Sequence, residues 1–222
     1  MTQTMTRVRL DVVSDVVCPW CWLGKRRLDA ALTTLDDVDV EVSFRPFQLD
    51  PEVPAGGVDY PDYMKAKFGD LDRIAAAQRQ LTAAGEAAGI TYRFTEIPNR
   101  PNTFDAHRLI RWAQGQDLGS EAKEALFRAH FDTLRDIGDH GVLADIAGEI
   151  GLDREVIAHL LASDADVQAV RDEEAFFRQL GVQAVPTFIA EGRLAIQGAQ
   201  EADNIAALIR KAAADLGDTR MA

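Results

Sequence analysis

Hydrophobic and polar residues alternate near the start of the chain. Val8, Leu10 and Val12 stand between Arg7, Arg9 and Asp11, and Val13, Val16 and Val17 continue the apolar run, so residues 7 to 17 predict a buried strand. Leu28, Ala31, Leu32 and Leu35 then recur at the i, i+3, i+4, i+7 spacing of an amphipathic helix. Pro19 suits the first turn of that helix, where no intrahelical N–H is needed. Val38, Val40, Val42 and Phe44 alternate again and predict a second strand ending near Pro46. The three elements form a β-α-β unit, whose crossover normally brings its two strands parallel.

The pattern changes after Phe47. Pro51, Pro54, Gly56 and Gly57 mark an extended connection over residues 48 to 59, followed by an Ala-rich helical stretch through residue 89. The run Ile97-Pro98-Asn99-Arg100-Pro101-Asn102-Thr103 leads into a helix starting near Phe104, with Asn102 or Thr103 as its natural cap. Further helices are expected at residues 120 to 135, 142 to 150, 153 to 162 and 166 to 181. Strand character returns at Val185-Pro186-Thr187-Phe188-Ile189-Ala190, and a Glu191-Gly192 turn predicts an antiparallel hairpin with the segment from Leu194 to Gln197. A last helix places Ile205, Leu208, Ile209, Ala212 and Leu216 on one face.

The order β-α-β, helical block, α-β-β-α matches an α/β thioredoxin fold with a mostly helical domain inserted after the second strand. Residues 1–47 and 166–222 are expected to form the thioredoxin-fold domain and residues 48–165 the helical insertion.

Composition narrows the function. At 222 residues and 47% hydrophobic content, the chain can bury a core without disulfide staples. Its 24 Lys and Arg against 36 Asp and Glu leave a formal net charge of −12, which argues against nucleic acid or an anionic lipid surface as partner. No apolar run reaches the roughly 18 residues of a membrane helix. The N-terminal MTQTMTRVRLDVVSD lacks the charged, apolar and small-residue regions of an export signal, so the expected location is cytoplasmic.

The two cysteines carry the sharpest signal. Cys18 and Cys21 form one Cys-Pro-Trp-Cys unit at the predicted strand-to-helix junction. A loop this short restrains little unfolded-chain entropy, so a structural staple explains it poorly. A thiol at a helix N-terminus faces unpaired backbone N–H groups and the positive end of the helix dipole, and both favour the thiolate. Cys18 is placed to feel them and is the expected nucleophile. Cys21, one turn deeper, is the expected resolving thiol that attacks a mixed disulfide formed on Cys18. Pro19 fixes the backbone between them, and Trp20 offers a flat apolar face on which a peptide or small thiol can rest. Trp22 suits either that role or core packing. Pro186 opens a strand that should lie inside the sheet, where it lacks a ladder N–H. A cis Val185–Pro186 bond facing the cysteines would explain it, although residue statistics alone favour trans.

These features resemble the DsbA family of thioredoxin-fold oxidoreductases. The resemblance rests on Cys18-Pro19-Trp20-Cys21 after a strand, on the helical insertion, and on Gly181-Val182-Gln183-Ala184-Val185-Pro186-Thr187-Phe188. More narrowly, Ser14-Asp15-Val16-Val17 before the cysteine motif, Trp22-Leu23-Gly24-Lys25 after it, Arg45-Pro46-Phe47-Gln48-Leu49, Pro101-Asn102-Thr103 and Gly198-Ala199-Gln200 resemble its FrnE-like cytoplasmic branch. The resemblance implies that Pro186 is cis and stacks beside Cys18, with the Val185 backbone pairing with a substrate strand. It implies a thiol-disulfide oxidoreductase acting on disulfide-containing peptides or small thiols. The cysteine pair would be its redox centre, with no dedicated cofactor and with glutathione as a candidate co-substrate. The founding periplasmic members carry His at the position of Trp20. Together with a reducing compartment, that difference favours the reductase or isomerase direction over strong oxidation. The related 2-hydroxychromene-2-carboxylate isomerases and kappa-class glutathione transferases carry serine at the position of Cys18. A glutathione-dependent isomerase or transferase on a small aromatic substrate is therefore the alternative.

Other polar residues are expected to be structural. The four histidines offer no His-X₃₋₅-His pair to complete a zinc site or a zinc-stabilised module with the cysteines, so no metal is expected. His130 falls with Phe127, Phe131 and Leu134 on an inner helix face, as a hydrogen-bonded core histidine would. His107 is expected on a helix surface or at the groove edge. Asp11 and Asp15 flank the entry to the cysteines and are expected in water, although either, if buried, would be placed to accept a proton from Cys21. Lys25, Arg26 and Arg27 are expected to form a solvated face.

Overall fold

The computed structural model describes residues 5–69 and 71–221, so the outermost ends of the expected thioredoxin-fold domain lie outside the described residues. The chain is an α/β thioredoxin fold with a helical insertion. Strand β1 (Thr6–Ser14) and strand β2 (Val38–Pro46) flank helix α1 (Pro19–Leu32). β1 and β2 pair in parallel, with Leu10 opposite Val42 and Val12 opposite Phe44. β1 stops at Ser14, short of the expected residue 17. Val16 and Val17 are nonetheless buried, in the turn that feeds α1, so the apolar run reported burial rather than strand.

Two further strands complete the main sheet. β5 (Thr187–Ala190) runs antiparallel to β1 and β6 (Leu194–Gln197) antiparallel to β5, giving the order β2-β1-β5-β6 among the described residues. The hairpin turn uses left-handed backbone at Glu191 (φ 52°) and Gly192 (φ 63°), as a tight primed turn demands. The sheet presents alternate residues to its two faces. Val8, Leu10, Val12 and Phe188 join the main core with Leu28 and Ala31 of α1 and Ile205, Ile209 and Ala212 of helix α9 (Ala202–Met221). Their neighbours Val13 and Ile189 point the other way, against Phe47, Val182 and Phe177 of helix α8 (Val167–Gln179). Each such large apolar side chain contributes about 1.5–3 kcal/mol on burial.

Between β2 and α8 the chain runs through a short two-stranded pairing and a set of helices. Strand β3 (Val58–Asp59) pairs with β4 (Asn99–Arg100), and helices α2 (Tyr60–Phe68) and α3 (Leu71–Ala87) lie between them. α4 (Phe104–Gln114), α5 (Gly119–Phe131), α6 (His140–Glu149) and α7 (Arg154–Leu161) follow. Aspartates cap three of these helices: Asp59 accepts from Asp62 N, Asp139 from Val142 N, and Asp153 from Glu155 N and Val156 N. Such a cap is worth about 1 kcal/mol. Thr103 occupies the α4 cap position, but Asn102 Oδ1 is the acceptor, 2.9 Å from Phe104 N.

α5 brings the insertion onto α1. Trp22 stacks on Phe127 and Phe131 and meets Tyr92 edge-on at 5.4 Å, so it is a core residue. Glu124 accepts from Trp22 Nε1 and pairs with Arg26 at 2.7 Å and Lys25 at 3.7 Å. The expected solvated face is therefore a contact. Lys25 is buried, Arg26 is held by α5, and Arg27 pairs with Glu201 at 2.6 Å. No helix among the described residues is long and apolar enough to cross a membrane.

Candidate active site around Cys18 and Cys21

The turn after β1 sets Cys18 at the N-cap of α1. Cys18 N donates to Asp15 O at 3.2 Å, and the Cys18 carbonyl accepts from Cys21 N at 3.0 Å, the first bond of the helix. Cys18 is extended (φ −95°, ψ 112°) and Pro19 takes the first helical turn, leaving the sulfur where a capping oxygen would normally sit. Both cysteines are free thiols and both are buried.

Their environments push them apart. The hydrogen bond from the Cys21 thiol is the largest influence on Cys18 and favours its thiolate. Burial opposes it, the backbone amides of Cys21 and Trp20 assist, and the Asp15 charge resists, with the balance below the ordinary thiol range. Burial pushes the Cys21 thiol well up, and the hydrogen bond to Cys18 and the negative charge on Cys18 push it further. Cys18 is therefore the sulfur that ionises first.

The second wall of the site comes from the far end of the chain. The Val185–Pro186 peptide is cis. The Val185 carbonyl oxygen lies 3.8 Å from Cys18 Sγ. Pro186 rests on α1 at Gly24, where a Cβ would stand 2.9 Å from the proline Cγ and 3.4 Å from Phe188 Cζ. Gly24 thus permits a close approach of helix and proline, a role with no counterpart in the sequence analysis beyond its place in the Trp22-Leu23-Gly24-Lys25 motif. Trp20 is 37% exposed beside the cysteines, whereas Trp22 is fully enclosed.

The insertion closes the site from a third side. Tyr92 OH donates to Pro19 O at 2.6 Å, and its own ionisation is suppressed by burial and by the nearby Cys18 and Cys21 charges. Tyr92 also lines a groove of about 480 Å³ with Gln78, Arg79, Thr82 and Phe94. The buried Arg100 donates to Val17 O at 3.0 Å, one residue before Cys18, and pairs with Asp50 at 2.5 Å. Neither Tyr92 nor Arg100 carries a local sequence signal; each matters because of where the insertion folds.

Three polar expectations change. Asp15 is fully buried, not in water. Its Oδ2 accepts from Leu49 N at 2.8 Å and its Oδ1 lies 3.4 Å from His107 Nε2, so His107 is buried too and not on a helix surface. Burial resists ionisation of Asp15, but His107, Arg100 and the Leu49 amide outweigh it and hold the carboxyl below its usual range. Asp11 is instead taken up by Arg45 at 2.6 Å, which also holds Glu173 at 2.5 Å. His130 is in the core as expected, but its Nε2 finds no partner. Burial lowers its pKa to about 3, so the ring is neutral. Among the described residues, no group of three or more His, Cys, Asp and Glu stands close enough to hold a metal ion.

Residues 9–210 match the model of the DSBA-like thioredoxin domain. The chain belongs to that family. The fold of this chain is similar to that of a probable DsbA oxidoreductase from Streptomyces coelicolor, with a TM-score of 0.85 and 32% identity over 92% of this chain and 89% of that one. The uncharacterized protein YwbO of Bacillus subtilis is 30% identical over 198 residues, 88% of this chain and 92% of its own. A 2-hydroxychromene-2-carboxylate isomerase shares the fold alone, with a TM-score of 0.68 and 15% identity over 96% of this chain and 98% of its own. Membership in the DSBA-like family and the paired cysteines make this chain a thiol-disulfide oxidoreductase whose redox group is a Cys-Pro-Trp-Cys pair.

Proposed function

We propose that this DSBA-like protein is a FrnE-like disulfide reductase or isomerase of a reducing, cytoplasmic compartment, acting on peptide or small-molecule disulfides. The observation that carries the reading is the split between the two thiols, one favoured as thiolate at a helix N-terminus and the other kept protonated by burial. Cys18 thiolate attacks one sulfur of the substrate disulfide, forming a mixed disulfide as the other substrate sulfur leaves as thiolate. Cys21 loses its proton and attacks Cys18, the protein disulfide forms, and the second substrate sulfur departs. The substrate has gained two electrons and the cysteine pair has lost two. Cellular thiols such as glutathione return them.

Trp20 and Pro19 supply the apolar platform for the incoming chain, and the Val185 carbonyl beside Cys18 accepts from a backbone N–H of an extended substrate in the manner of strand addition. Reductase or isomerase chemistry is favoured because tryptophan, not histidine, stands between the cysteines at position 20. The test is a Cys21→Ala variant incubated with disulfide peptides or oxidised glutathione. Trapped adducts on Cys18 are expected; their absence with every disulfide overturns the scheme. Undiminished turnover of a Cys21→Ser variant on an aromatic substrate with glutathione would instead support the isomerase chemistry, which needs no resolving thiol.

A further inference from the structure

Tyr92, a residue of the helical insertion, is bonded to the backbone inside the Cys-Pro-Trp-Cys unit. Its hydroxyl donates to the Pro19 carbonyl at 2.6 Å, and the Leu23 amide faces the phenol oxygen from one turn further along α1. The ring is fixed on its other sides, edge-on to Trp22 and Phe131 at 5.4 Å and stacked on Phe94 at 4.8 Å. Burial and the Cys18 and Cys21 charges suppress its ionisation, so the hydroxyl keeps its proton across the pH range in which Cys18 titrates.

The carbonyl that Tyr92 grips belongs to the same peptide group as the Trp20 N–H. That amide is the second of α1, the position from which an N-cap side chain normally takes a hydrogen bond. The other groups of the first turn are already engaged. Pro19 has no N–H, and those of Cys21 and Trp22 go to the Cys18 carbonyl at 3.0 Å and 3.4 Å. The Trp20 N–H has no carbonyl acceptor among the described residues, and it is one of the two amides that favour the Cys18 thiolate. A hydrogen bond accepted at the oxygen of a peptide group draws electron density from its nitrogen and makes the N–H a stronger donor, by about 10–30% in a chain of such bonds. The chain here runs from the Tyr92 hydroxyl through the Pro19 carbonyl and the Trp20 N–H to the Cys18 sulfur.

We propose that Tyr92 is a positioning residue for the thiol chemistry: by donating to the Pro19 carbonyl, its hydroxyl fixes and polarises the Pro19–Trp20 peptide so that the Trp20 N–H stabilises the Cys18 thiolate. The assignment rests on the thiol-disulfide reading above and deepens it. It makes the acidity of the nucleophile depend on a side chain that the thioredoxin-fold core does not supply. The charged and titratable groups around the chain are Cys21 of α1, Asp15 of the turn after β1, Lys123 and Glu124 of α5, and Arg79 and Glu86 of α3, which line the groove beside the ring. Removing the hydroxyl leaves all of them in place.

The test measures the pH dependence of Cys18 alkylation by iodoacetamide in the full chain. Tyr92→Phe keeps the ring against Trp22, Phe94 and Phe131 and removes only the hydroxyl. Its Cys18 midpoint is expected about 0.3–0.6 pH unit above that of the wild type, the size of a change of about 10–30% in a hydrogen bond to a charged group. At pH values above both midpoints, a glutathione redox buffer should favour the disulfide form of the variant by about two- to fourfold, because the thiolate it destabilises exists only in the reduced protein. A ring-fluorinated tyrosine at position 92 has nearly the same shape and is a stronger donor, so it is expected to move the midpoint below that of the wild type. An unchanged midpoint in Tyr92→Phe, even with a lowered melting temperature, reduces the hydrogen bond to a tie between the insertion and α1 and overturns the proposal. Should Tyr92→Phe fail to fold, the fluorinated protein decides: a midpoint at or above that of the wild type overturns the proposal. A wild-type midpoint at the ordinary value of about 8.5 would instead overturn the thiolate chemistry beneath it.

Discussion

Gly24 and Pro186, 162 positions apart in the chain, meet so closely that a Cβ on the glycine would stand 2.9 Å from the proline Cγ. The contact sets the distance between α1, which carries both cysteines, and the segment that carries the Val185 carbonyl. Adding a methyl group to a helical glycine ordinarily gains about 0.5–1 kcal/mol. Here the methyl meets a rigid ring and Phe188 behind it, and overpacking of that kind costs about 1–3 kcal/mol. Gly24→Ala is therefore expected to lower the melting temperature, not raise it, and to change the rate of Cys18 alkylation. An unchanged or raised melting temperature would count against the contact.

The Cys18 thiol is expected to alkylate with a pH midpoint below the ordinary value of about 8.5. The hydrogen bond from Cys21 is the leading cause of that depression, so Cys21→Ala should move the midpoint up. Rates of iodoacetamide reaction across pH measure both. A variant midpoint at or below that of the wild type would contradict the assignment.

Asp15 contributes pH-dependent stability. Its carboxyl is held below the usual range when folded, so the stabilisation is present above the unfolded value of about 3.9 and is lost as pH falls through the folded value. Asp15→Asn removes the buried anion beside His107, while Arg100 keeps Asp50, and is expected to cost about 1–3 kcal/mol at neutral pH. Urea unfolding at neutral and acid pH should show the gap between wild type and variant closing below pH of about 4. The same substitution removes a charge that resists the Cys18 thiolate, so the Cys18 midpoint should fall.

His130 buries a ring nitrogen that has no partner. Leucine fills a similar volume without an unsatisfied polar atom, so His130→Leu is expected to stabilise the fold by about 1 kcal/mol. The gain should appear as a higher urea midpoint with Cys18 reactivity unchanged. A loss of stability would contradict the assignment of an unpartnered ring nitrogen.

Much of the fold and the cysteine pair was legible in the sequence because the signals are local. Period-two alternation in Val8, Leu10 and Val12, helical spacing from Leu28 to Leu35, and Pro19 after Cys18 report interactions within a few residues, and those suffice to put a thiol at a helix N-terminus. The same local logic misplaced Asp15, His107 and Lys25, all of which look like surface residues in their own segments. Burial is decided by what packs on a segment from elsewhere in the chain. Leu49 and His107 of α4 cover Asp15, the turn after β1 covers His107, and α5 covers Lys25. The insertion likewise carries Tyr92 and Arg100 to the turn that holds the cysteines. The sequence by itself determined which atoms can react; the tertiary structure decided which charges surround them, because the field at a buried sulfur is the sum over neighbours that chain order does not reveal.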